Sequence, residues 1–229
     1  MSQISADQMQ KLAALVDHTL LKPEAQSSDI LRLCQEAKRH GFASVCINPI
    51  FVPLAVEALK DSALPVCTVI GFPLGASALA VKVAETREAL SAGAREIDMV
   101  ISIAGLKERG AASVEEEVRA LRAISPDYVL KVIIETCLLS KEEIVLACQG
   151  AKAGGADFVK TSTGFSTGGA KVEDVALMRQ TVGDEMGVKA SGGIRSLESL
   201  IAMVEAGANR IGIGGAMAIF GTADHDGGY

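Results

Sequence analysis

KAGGADFV, residues 152–159, ends a helical segment in glycine, adds one small residue and enters an apolar strand. Glycine at that point permits the left-handed backbone that stops a helix. The same join recurs as KRHGFASV (38–45), LSAGAREI (90–97) and VEAGANRI (204–211), so Gly41, Gly93, Gly155 and Gly207 mark repeated helix-to-strand transitions. Strand candidates run the length of the chain: VDHTLL (16–21), FASVCIN (42–48), PVCTVIGF (65–72), EIDMVIS (96–102), YVLKVIIE (128–135), DFVKTST (157–163), GVKASGG (187–193) and NRIGIGG (209–215). Several are continuously apolar rather than alternating, as expected for parallel strands covered on both faces. The segments between them are long enough for helices. Ser113 with Glu116, and Ser140 with Glu143, have capping-box spacing. Eight strand–helix units predict an α/β chain folded as one (β/α)₈ TIM barrel over 1–229, with a short N-terminal helix at about 5–15 and a flexible tail at about 221–229. A doubly wound open sheet is the alternative, which the eightfold count disfavours.

Composition narrows the function. The chain has 229 residues, 49% hydrophobic and only 3% aromatic, so its core is built from Ala, Val, Ile and Leu. A formal charge of −6 with scattered basic residues speaks against a nucleic-acid partner. No apolar run is long enough to span a bilayer, and MSQISADQMQKLAAL lacks the layout of a secretion signal. Five cysteines (34, 46, 67, 137 and 148), none in a CxxC pair, point to a reducing cytoplasm. His18, His40 and His225 give no metal-ligand spacing, so no metal is expected.

Barrel enzymes carry their sites at the C-terminal ends of the strands. Polar residues that interrupt apolar strands are therefore the candidates: Lys131, Lys160, Lys189 and Asp98. A strand lysine can instead point outward and snorkel between helices. Lys160 and Lys189, however, lie on consecutive strands, and each is followed by small or glycine residues that would open a site. A neighbouring cation and desolvation both disfavour protonation of an amine, and only a neutral amine attacks a carbonyl. Asp98 could move the protons. The three form the outline of a Schiff-base enzyme, with Lys131, earlier in its strand, in a structural ion pair.

TSTGFSTGG, ASGGIR and GIGG follow strands six, seven and eight, where barrel phosphate sites are built from backbone N–H groups. Gly164, Gly192, Gly193, Gly214 and Gly215 are the candidates, with Arg195 as a charged contact. Two competing motifs overlap them. GFSTGGAK (164–171) approaches a P-loop, but its lysine is one residue late and no Ser or Thr follows it. GFSTG (164–168) satisfies the GxSxG elbow, so a serine hydrolase using Ser166 and His225 is the alternative. A sugar-phosphate-binding barrel without catalysis, or an isomerase using Glu135 as base, are further readings.

EIDMVIS, LKVIIET, DFVKTSTGF and VKASGGIR, with VDHTLLKP and VCINP, resemble the deoxyribose-phosphate aldolase family across nearly the whole chain. The resemblance implies a class I aldolase that reversibly joins acetaldehyde to D-glyceraldehyde 3-phosphate, giving 2-deoxy-D-ribose 5-phosphate. It implies no cofactor beyond a covalent lysine imine, and a homo-oligomer, dimer or tetramer. Lys160 would be the Schiff-base lysine, Lys189 its neighbour in the proton relay, and Asp98 the general acid/base acting through water. Asp17 and Thr19 would line the hydroxyl end of the substrate, Thr163 would help hold the water, and Tyr229 would assist proton transfer. Gly214 and Gly215 stand where the family carries serines, and Ser102, Ile103 and Ala104 replace its asparagine, apolar residue and glycine. The first departure predicts weakened phosphate recognition.

Overall fold

The computed structural model describes residues 4–124 and 126–221. Its eight strands close into a parallel barrel in chain order, β8 pairing back onto β1. They are β1 (Val16–Leu20), β2 (Ser44–Ile47), β3 (Val66–Ile70), β4 (Glu96–Val100), β5 (Val129–Ile133), β6 (Phe158–Lys160), β7 (Gly187–Ser191) and β8 (Arg210–Ile213). The helices are α1 (Ala6–Ala13), α2 (Ser27–His40), α3 (Val52–Leu59), α4 (Leu79–Ser91), α5 (Ile103–Arg109), α6 (Ala111–Arg122), α7 (Lys141–Ala153), α8 (Val172–Val182), α9 (Leu197–Glu205) and α10 (Met217–Phe220). This is the (β/α)₈ TIM barrel that the strand count predicts.

The four joins work as their glycines require. Gly41, Gly93, Gly155 and Gly207 all have positive φ, between 64° and 109°, which L side chains rarely adopt. Ser140 caps α7 in a full capping box with Glu143. Ser113 does not cap a helix. The αα join turns at Gly110, with φ of 61°, so α6 begins before Ser113. That serine is buried instead, and its Oγ accepts from Arg109.

Every strand falls inside its predicted segment, but the predicted C-terminal ends run too long. β6 stops at Lys160 rather than Thr163, β7 at Ser191 rather than Gly193, and β8 at Ile213 rather than Gly215. Thr161 still bonds both neighbours, its N–H donating to the Lys189 carbonyl and its own carbonyl accepting from Thr136 N–H, whereas Thr163, Gly193 and Gly215 lie beyond the strands at the barrel mouth.

The barrel separates two interiors. Outward-facing strand residues such as Ile97, Val132, Val159 and Ile211 pack against the helices in one large apolar core. The lumen holds a small apolar group, Leu21, Cys46, Cys67 and Val69 with Phe72 against it. Beside that group the lumen holds a cluster of buried charged side chains. Among the described residues no helix is long and apolar enough to cross a membrane.

Candidate active site

Burying a charge without a partner costs several kcal/mol, so buried ions occur in bonded networks. The lumen contains one. Asp98 on β4 lies at its centre: Oδ1 accepts from Lys131 at 2.8 Å, and Oδ2 accepts from Lys160 at 2.8 Å and Lys189 at 2.7 Å. Lys131 also meets Glu96 at 2.7 Å. Asp17 binds Lys189 through Oδ2, while its Oδ1 accepts from Ser44 and Arg210, each at 2.7 Å. These contacts join β1, β2, β4, β5, β6, β7 and β8 across the lumen, which is possible only for side chains pointing inward. The outward, snorkelling alternative for the strand lysines is therefore excluded.

Electrostatics follow from this wiring. Burial alone would raise the Asp98 carboxyl, but the ammonium groups of Lys131, Lys160 and Lys189 hold it well below the usual carboxylate range. Burial likewise opposes ionisation of Asp17, and Lys189, Lys131 and Arg210 overcome it. Burial would lower Lys189, yet Asp17 and Asp98 raise it above the ordinary lysine value, so it stays an ammonium. Lys131 is raised for the same reason, Asp98 outweighing burial. With every group charged, three carboxylates (Asp17, Glu96 and Asp98) face four cations (Lys131, Lys160, Lys189 and Arg210). One cation is in excess.

Lys160 and Lys189 are direct partners in the β6–β7 register. Gly212 makes room for Lys189: a Cβ there would lie 2.8 Å from the Ser191 Cβ and 3.2 Å from the lysine Cε. Above the network opens a cavity of about 700 Å³ at the C-terminal mouth. Lys160 is the one amine of the network that reaches its wall. All six candidate phosphate residues, Gly164, Gly192, Gly193, Arg195, Gly214 and Gly215, line it too. Gly192 and Gly193 both take positive φ, 84° and 80°, a turn that leaves their N–H groups out of the strand ladder.

Other candidates are placed differently from expectation. Asp17 does not line the cavity: it is fully buried, and both oxygens are consumed by Lys189, Ser44 and Arg210. Thr19 does line it, with its hydroxyl donated back to the Asp17 carbonyl at 2.9 Å. Thr163 also reaches the wall, but its hydroxyl donates to Glu135 at 2.5 Å and accepts from Phe165 N–H, so it is not directed at Asp98. Glu135 is the one non-glycine described residue with positive φ, 55°. Its carboxylate also accepts from Thr163 N–H, which ties it to the β6 loop rather than leaving it free as a base. Ser166 Oγ contacts only Cys137 Sγ, at 3.4 Å, among the described residues. Tyr229 and His225 lie outside the described residues. Ser102 caps α5, its Oγ accepting from Gly105 N–H at 3.0 Å.

Sequence reasoning missed several participants. Cys67 lies 3.2 Å from Asp98 and accepts from Lys131 at 3.1 Å, and Glu96 and Arg210 complete the network. Lys22, on the cavity wall, ends the VDHTLLK stretch; the rule that strand ends carry the site would have found it. Cys46, Cys67 and Asp98 form a compact trio. Ammonium groups surround that trio, Lys131 donating to Cys67 and all three lysines to Asp98, and burial raises the Cys67 thiol well above its ordinary value.

A buried amine–carboxylate network opening into a cation-lined mouth defines a (β/α)₈-barrel enzyme. Residues 11–225 match the profile of the DeoC/LacD family aldolases, and the chain belongs to that family of carbon–carbon lyases. It is 57% identical over 219 residues to a deoxyribose-phosphate aldolase of Streptococcus suis, covering 96% of this chain and all of the relative. A deoxyribose-phosphate aldolase of Clostridium botulinum is 59% identical over 202 residues, covering 88% of this chain and 95% of the relative. Among solved structures, the tetrameric deoxyribose phosphate aldolase from Aeropyrum pernix superposes with a TM-score of 0.87 at 34% identity, covering 94% of this chain and 92% of that one.

Proposed function

We propose that the chain is a class I deoxyribose-phosphate aldolase, joining acetaldehyde and D-glyceraldehyde 3-phosphate to 2-deoxy-D-ribose 5-phosphate through an imine on Lys160. One observation carries the assignment of the nucleophile: of the three buried network lysines, only Lys160 reaches the cavity. Lys131 touches three carboxylates and Lys189 two, whereas Lys160 touches Asp98 alone. Lys160 is therefore the network amine whose covalent use breaks the fewest ion pairs.

The neutral Lys160 amine attacks the acetaldehyde carbonyl carbon, and the oxygen takes up a proton to give a carbinolamine. Loss of water leaves an iminium, an electron sink for the adjacent methyl carbon. Asp98, a carboxylate at 2.8 Å from the Lys160 nitrogen, is the general acid/base. It removes a methyl proton, through water, to give the enamine. The enamine carbon attacks the second aldehyde, and hydrolysis of the new iminium releases product and regenerates the amine. Lys189 remains an ammonium, orients Asp98 and serves the relay. The glycine N–H groups and Arg195 receive the phosphate.

The chemistry needs no cofactor other than the lysine imine. Family membership supports sugar-phosphate substrates, and the tetramer described for the Aeropyrum pernix relative supports a homo-oligomer. The five free thiols favour a cytoplasmic location.

Borohydride trapping tests the reading. After incubation with acetaldehyde and reduction, peptide mapping should place an ethyl group on Lys160. Absence of an adduct on folded protein would remove the imine mechanism.

A further inference from the structure

Three charged side chains line the cavity, Lys22, Lys160 and Arg195, and all are cations. Lys160 belongs to the buried network at the floor. Lys22 and Arg195 stand at the mouth, and neither makes an ion pair among the described residues. Two cations without an ion pair there, beside one cavity with no carboxylate in its wall among the described residues, favour an anionic ligand.

Barrel order relates the two. β8 lies between β7 and β1, so the Gly214–Gly215 turn that follows β8 is flanked by the loop carrying Arg195 on one side and the end of β1 carrying Lys22 on the other. The turn and the β1 end are in near contact: a Cβ at Gly214 would sit 3.4 Å from the Thr19 carbonyl oxygen. A Cβ at Gly215 would meet nothing within 4 Å, so that side of the turn is open. The Lys22 backbone is held in place, its carbonyl accepting from Ala25 N–H at 3.2 Å and from the Asn48 side-chain amide at 3.4 Å. Its side chain is exposed and uncommitted.

We propose that Lys22 is a phosphate-binding, specificity-determining residue that closes the anion end of the cavity opposite Arg195, across the Gly214–Gly215 turn. The proposal rests on reading this cavity as the site for a phosphorylated sugar. It also reverses one expectation from the sequence: the absence of hydroxyls at positions 214 and 215 does not leave the phosphate to backbone N–H groups and Arg195 alone, because a second cation supplies a charge-assisted contact.

The test is Lys22→Met in the full-length chain, with Lys22→Arg beside it. For wild type and both variants, kcat/KM is measured for cleavage of 2-deoxy-D-ribose 5-phosphate and of unphosphorylated 2-deoxy-D-ribose, after thermal melts confirm folding. The ratio of the two values is the phosphate preference. Lys22→Met should lower it about tenfold, as expected for loss of one charge-assisted contact. The loss should appear mainly in KM for the phosphate ester, with a shallower dependence of that KM on salt. Lys22→Arg should retain most of the preference. A wild-type preference that survives intact in Lys22→Met would overturn the role of Lys22 while leaving the phosphate site standing. A wild type with no phosphate preference would overturn both.

Discussion

Lys160 and Lys131 make opposite predictions for stability, although both are buried and both bind Asp98 at 2.8 Å. At an effective dielectric of about 20, one such contact is worth about 6 kcal/mol of Coulomb attraction before desolvation. Lys160 shares its carboxylate with two other ammonium groups. Their repulsion of the Lys160 ammonium opposes that attraction at a comparable order of magnitude. Attraction and repulsion nearly cancel, and desolvation of the amine is relieved on substitution. Lys160→Met should therefore change stability by no more than about 1 kcal/mol, or raise it slightly, as strained functional sites often do. Lys131→Met removes the one network cation that meets Asp17, Glu96 and Asp98 together. Breaking a buried ion pair from one side costs about 3–5 kcal/mol, a fall of roughly 6–20 °C in melting temperature for a chain of this size. The assay is thermal melting at one scan rate and pH 7.5, with turnover measured in parallel. Lys160→Met should keep its melting temperature and lose at least about 10⁴-fold in kcat, as expected for loss of a nucleophile. If Lys160→Met melts as early as Lys131→Met, Lys160 is an essential structural ion rather than the excess cation, and the charge-balance argument fails.

Glu135→Gln removes one of the two acceptors that hold the Thr163 N–H and hydroxyl. It should cost about 1–3 kcal/mol and raise KM for the phosphate ester by loosening the Gly164 turn, read by melting and steady-state kinetics. Unaltered KM would show that the turn keeps its shape without this anchor. His18 supplies the pH prediction. Burial holds its imidazole below the ordinary 6.5, outweighing Glu36 at 2.7 Å, which is partly exposed and screened by solvent. The unfolded chain then binds a proton that the folded chain refuses, so the His18 contribution is full above about pH 6.5 and is lost as pH falls toward the lowered folded value. His18→Gln should flatten the acid side of the melting-temperature profile; a steeper acid side would show that the charged pair with Glu36 dominates instead.

Much of this protein was legible without coordinates because its signals are local. The glycine joins at 41, 93, 155 and 207 depend on backbone freedom within a few residues, and the strands announce themselves as short apolar runs. Lys160, Lys189 and Asp98 stand out because charged groups in such runs need a reason. Strand ends were less legible: Thr163, Gly193 and Gly215 look like continuations of their strands, and only the ladder shows that they leave it. Ser113 has the right spacing for a cap but lies inside α6, since Gly110 moves the helix start.

By itself the sequence determined the barrel and the family, and it singled out Lys160, Lys189 and Asp98 as candidates. It could not determine which amine faces the cavity, nor that Asp17 is a buried counter-ion rather than part of the wall, nor that Thr163 answers to Glu135. Those outcomes depend on contacts between residues far apart in the chain, 33 positions for Asp98 with Lys131 and 193 for Asp17 with Arg210. Closing the sheet brings them into one lumen shielded from water, where a carboxylate must be matched by whichever cations point inward. Charge pairing across the barrel is therefore a property of its closure, and no local stretch of the chain contains it.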